Sequence, residues 1–139
     1  VARYCFAQEN ERIAARFDRC RTLVDLENEL VDYLQEVAAQ RMSTYRLLAV
    51  NFGQQAALPE CTNACRSQLT ALTDALVARL QAAGEIDPGL TMDACRTSIF
   101  CTVTGGLIAL CCSAGSGDAL PDLPQNLRDN LHRSLRPQK

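Results

Sequence analysis

Cysteines are the residues of this sequence whose type and spacing could do chemistry. There are eight: Cys5, Cys20, Cys61, Cys65, Cys95, Cys101, Cys111 and Cys112. Thiols in such number serve metal binding, redox catalysis or disulfide crosslinking. Structural zinc sites gather their ligands through short repeats such as CxxC, and no spacing here has that form. The same lack argues against CxxC redox catalysis. The even number favours crosslinks, so the expectation is four disulfides, no metal and no cofactor. A chain of that kind is secreted, and the polar start VARYCFAQENER reads as a mature form after signal-peptide removal.

Other reactive groups are sparse. His132, the lone histidine, sits between Leu131 and Arg133 on a polar segment and reads as a surface residue. No Ser/His or Cys/His signature and no glycine-rich phosphate loop is present, so catalysis is not expected. Asp25, Glu29, Asp32 and Glu36 fall within about 60° of one another on a helix, opposite its leucines. Like charges four apart cost a helix about 0.2–0.5 kcal/mol per pair, so they need a reason. They form either a docking face for a basic protein partner or a solvated face, with or without arginines from elsewhere in the fold beside it. A basic end (Arg128, Arg133, Arg136, Lys139) suits a helix C-terminus, and could also meet the acidic stripe of a second copy in self-assembly. Gly105 and Gly106 cost about 1 kcal/mol each relative to alanine within a helix. They mark either a kink or recess for a small apolar ligand, or the close approach of another helix or of a disulfide.

These residues must be positioned by helices. Residues 5–19 place Phe6, Ile13, Ala14 and Phe17 at helical spacing. From Thr22 to Met42, Leu23, Leu26, Leu30, Leu34 and Val37 form the clearest amphipathic stripe, with Thr22 and Asp25 as its cap and Tyr33 at its margin. A further piece spans Ser43 to Asn51. Pro59 opens a helix that carries Cys61, Cys65, Leu69, Leu72, Leu76 and Leu80 on one stripe, and Gly84 closes it. Met92 to Cys112, capped by Thr91, has no charge from Thr97 onward and reads as a buried central helix. SAGSGDALPDLP, within a flexible exit loop over 113–124, leads to a short last helix at 125–135 with Leu127, Leu131 and Leu135.

The expected fold is therefore all-α. It is one domain over 1–139, a disulfide-stapled bundle of five or six helices around the 92–112 helix. With the turn centred between Asp87 and Pro88, Cys61 and Cys65 lie about as far before it as Cys111 and Cys112 lie after it. An antiparallel hairpin would bring those four sulfurs to one height, so Cys61 and Cys65 are expected to pair with Cys111 and Cys112. Cys5 and Cys20 are then left for Cys95 and Cys101.

Cys61-x3-Cys65 and the chain length resemble the insect odorant-binding proteins, small secreted helical carriers of apolar ligands. The Cys65–Cys95 and Cys95–Cys101 spacings are shorter than that family uses, and Cys5 and Cys112 are extra. The cysteine order also departs from plant lipid-transfer proteins, whose CC precedes a CxC, and from secreted phospholipases, whose CC is followed by a His-Asp pair. No family assignment follows.

A net charge of −2 and a pI near 5.4 argue against nucleic-acid binding. The longest apolar run is too short to cross a bilayer. The functional expectation is a secreted protein acting by non-catalytic binding, as an interaction partner or a subunit of an extracellular assembly. A carrier of a small hydrophobic ligand is the alternative.

Overall fold

A computed structural model describes residues 2–41, 59–113 and 122–137, with side chains from 7–40, 67–110 and 122–137. Those residues are helical, with no strand among them. The helices are α1 (Ala2–Asp18), α2 (Leu23–Glu36) running into a π turn (Val37–Arg41), α3 (Pro59–Ala82), α4 (Met92–Ser113) and α5 (Leu123–Leu135). Packing closes a ring in the order α1–α3–α4–α5–α2–α1, and α2 also touches α4 across it. No helix among the described residues is long and apolar enough to cross a membrane. The expected piece at Ser43–Asn51 lies outside the described residues.

Local signals place the helix ends. Thr22 caps α2 by accepting from the Asp25 amide at 3.1 Å, while the Asp25 carboxylate accepts from the Thr22 amide at 3.1 Å. This reciprocal box satisfies donors that a helix start leaves open. The Leu23 amide donates to the Glu85 carboxylate at 3.0 Å, adding negative charge at the same N-terminus. Gly84 has φ +78, the left-handed conformation that ends α3, and the Glu85 amide reaches back to the Leu80 carbonyl at 2.9 Å. Thr91 accepts from the Ala94 amide at 3.1 Å and so starts α4. The carbonyls of Phe17, in the last turn of α1, and of Cys20, just beyond it, take Arg79 Nη2 from α3, at 2.6 and 3.0 Å.

The buried centre is α2, not α4. Leu23, Leu26, Glu27, Leu30, Val31, Tyr33 and Leu34 of α2 are all buried, with Tyr33 inside rather than at the margin. Among the described side chains of α4 only Cys95, Ile99 and Gly106 are buried, while Thr97, Cys101, Thr104, Gly105 and Ile108 face outward. The expectation of a buried post at 92–112 treated absence of charge as burial. Threonine and serine break that equation, because a helical hydroxyl can satisfy itself on its own backbone. Thr102 Oγ1 does so, donating to the Ser98 carbonyl at 2.7 Å.

Two apolar clusters result. The larger joins Phe17, Leu26, Leu76, Val77, Leu80, Ile86, Ile99, Leu131 and Leu135 among others. A smaller one holds Val31, Leu34 and Leu127, with Leu107, Leu110 and Leu123 half-buried against it. Val103 packs on both.

Candidate functional site

The acidic stripe is taken up by the chain itself. Arg16 of α1, with 10% of its side chain exposed, reaches Glu29 at 3.0 Å, Asp32 at 2.8 Å and Glu36. Its guanidinium also lies 5.6 Å from the Tyr33 ring centre, within cation–π range. Burial works against the Arg16 charge, but hydrogen bonds to Asp32, Glu36 and Glu29 outweigh it and raise its pKa. Arg19 adds a second contact to Glu29 at 3.2 Å. Asp25 stands apart in the helix cap, where the Arg21 amide, 2.9 Å away, is the largest cause holding its carboxyl low. Of the four acids expected as a partner-docking face, Glu29, Asp32 and Glu36 therefore receive Arg16 of α1 and Asp25 closes the cap of α2, with Asp32 largely exposed at 71%. Tyr33 donates to Glu9 at 2.8 Å, and Glu9 pairs with Arg12 at 2.6 Å, extending the same network along α1.

The thiols are not where four crosslinks would put them. Cys20, Cys95 and Cys101 are free. Cys20 is buried with its sulfur 3.5 Å from the Arg16 carbonyl, and burial, then Glu29 and Asp25, push its pKa up to about 11. Cys95 is buried too, and burial followed by the Asp87 charge raises its pKa. Cys101 is exposed on the outer side of α4. The expected link from Cys20 to Cys95 or Cys101 is thus not formed. Cys95 and Cys101 share one helix about 120° apart and cannot both face the same partner. The side chains of Cys5, Cys61, Cys65, Cys111 and Cys112 lie outside the described residues.

His132 is half-exposed at 44% and its Nδ1 lies 3.4 Å from Glu27 Oε2, which ties α5 to α2. No group of metal-ligating side chains occurs among the described residues.

The remaining feature is an apolar recess of about 380 Å³ over the smaller cluster. Val31, Leu34, Gln35, Ala38 and Ala39 form one wall, Leu110 of α4 another, and Leu123, Pro124 and Leu127 of α5 the third. The π turn creates it. Widening the backbone at Val37–Arg41 takes Ala38 and Ala39 out of the leucine register, and their small side chains leave the space unfilled. Gly106 lets α4 come close beside it: a Cβ there would stand 2.8 Å from Leu34 Cδ1 and 3.5 Å from both Leu127 methyls, so the Leu34 side chain would have to shift to admit one. Gly105 faces the other way, and a Cβ on it would meet nothing within 4 Å.

Neither glycine of the pair expected at a recess lines this one; Gly106 packs on Leu34 and Leu127, which do. Reading the sequence missed Ala38, Ala39, Leu123 and Pro124. The small Ala38-Ala39 pair just after the last stripe residue, Val37, was the available signal. Compared with known proteins, the chain matches no protein family, no curated protein and no solved structure.

Proposed function

We propose that this protein acts by non-catalytic binding and takes a small apolar molecule into the recess between α2, the π turn, α4 and α5. The observation that carries this reading is the recess itself. Its volume falls within the usual range for ligand sites, and Gln35 is the one polar side chain among its described lining residues. A π turn forming part of the wall adds support, since such turns are frequent at functional sites. The thiol chemistry also fits binding better than catalysis: Cys20, pushed up to about 11, is the reverse of an activated nucleophile. Native mass spectrometry of the purified full chain tests the reading. A retained apolar adduct, lost in Ala39→Trp, is expected. A wild-type chain that neither carries nor takes up apolar molecules would overturn it.

Protein association is the second reading, favoured by Ile108, 58% exposed on the uncharged outer face of α4. Light scattering after size exclusion separates the two: a monomer that binds ligand supports the first reading alone.

An extracellular setting is proposed on cysteine content. With Cys20, Cys95 and Cys101 as thiols, crosslinks fall to the other five cysteines. Arg96 Nε lies 2.6 Å from Asp74 and Gln81 Nε2 lies 4.0 Å from the Cys95 sulfur, so α3 and α4 run side by side from their shared loop. Continuing that register supports Cys61 and Cys65 with Cys111 and Cys112. A peptide map without reduction would show these links, and free thiols at all four would dismiss them.

A further inference from the structure

We infer that the recess selects an uncharged, medium-sized molecule with one hydrogen-bonding group, such as a medium-chain alcohol, over a fatty acid or a long-chain lipid. This rests on the recess being a ligand site, as proposed above. Size comes from its volume of about 380 Å³. At about 30 Å³ per small group, the share of one water in the liquid, that holds roughly a dozen non-hydrogen atoms. A hexadecyl chain would extend beyond the walls.

Charge selection comes from what surrounds the opening. None of the described lining residues is cationic. A carboxylate taken out of water there would lose its hydration with no compensating partner. The nearest carboxylate along the chain, Asp122, precedes Leu123 at the start of α5, while Glu36 next to Gln35 is held by Arg16. A helix N-terminus can attract an anion, but at the start of α5 Pro124 has no N–H to offer and Asp122 stands at the N-cap, where its charge opposes a second anion. Gln35 gives the ligand's polar group its partner. Its amide is exposed at the rim, and it hydrogen-bonds to no other described residue. It can donate to a hydroxyl or carbonyl and accept from a hydroxyl.

The test displaces the fluorescent probe N-phenyl-1-naphthylamine from the full chain with n-decanol, n-decanoate, n-decane and n-hexadecanol. The expected result is that n-decanol displaces at least tenfold more tightly than n-decanoate and more tightly than n-hexadecanol. Gln35→Leu should weaken n-decanol about fivefold, as for one hydrogen bond, while leaving n-decane unchanged. Circular dichroism of Gln35→Leu checks that the helices persist. If the probe binds and n-decanoate or n-hexadecanol competes best, this selectivity is wrong while the binding reading stands. If wild-type protein binds neither the probe nor any competitor, both fall, which is the outcome if the chain's own residues 42–58 or 114–121 fill the recess.

Discussion

Replacing Arg16 should cost the fold more than any other single surface-proximal change. In Arg16→Leu the hydrocarbon stem is largely kept, while Glu29, Asp32 and Glu36 lose their shared cation. The magnitude follows from exposure. Asp32 is 71% exposed, so its pair is worth only a few tenths of a kcal/mol. Glu29 and Glu36, at 23% and 32%, are partly shielded, and about 1 kcal/mol each is a fair charge-assisted value after discounting for solvent. The Tyr33 ring contributes about 0.5–1 kcal/mol more. The total is about 3 kcal/mol, with repulsion among the orphaned acids in the same direction. Urea unfolding followed by circular dichroism reads this loss directly. A double-mutant cycle with Glu36→Gln should return a coupling near 1 kcal/mol. Arg16→Lys should recover only part of the loss, because one ammonium cannot present the two-armed fork that reaches three carboxylates. A loss below 1 kcal/mol with no coupling would refute the reasoning and return the acidic stripe to the solvent as a candidate docking face.

The two adjacent glycines should respond oppositely. Gly105→Ala meets open space and should stabilise the helix by about 0.5–1 kcal/mol, whereas Gly106→Ala drives into Leu34 and should destabilise by about 1–3 kcal/mol, both by urea titration. Thiol labelling of folded protein at neutral pH should modify Cys101 quickly and Cys20 and Cys95 only after unfolding, as read by intact mass. Because the folded pKa of Cys20 is raised to about 11 from 9.0, its contribution to stability is complete below pH 9 and is lost as pH rises toward 11. Cys20→Ala should flatten that alkaline loss, and an unchanged pH profile would contradict the assignment.

The sequence made the helices legible because their signals are local. Pro59, Thr22 with Asp25, Gly84 and Thr91 act within a few residues of themselves, and each ends or starts a helix where its chemistry requires. The leucine stripes of α2 and α5 were equally plain, since burial follows directly from helical spacing. What could not be read was which helix lies innermost. Composition made α4 look buried, but its uncharged residues include hydroxyls such as Thr102, which satisfies itself on its own backbone, and Thr97 and Thr104 stand exposed. The Arg16 clasp was out of reach because it joins residues from two helices whose relative placement depends on packing. The recess was hidden for a different reason. A π turn widens the helix where the stripe from Leu23 to Val37 ends, and no residue in Val37–Arg41 is one that demands it.

Methyl chemical shifts of the labelled full chain, titrated with n-decanol, test the binding claim most directly. The account predicts shifts concentrated at Val31, Leu34, Leu110, Leu123 and Leu127, which line the recess, with Leu26, Leu76 and Leu80 of the larger core unmoved. Silent recess methyls, or shifts gathered instead at exposed Ile108, would contradict it.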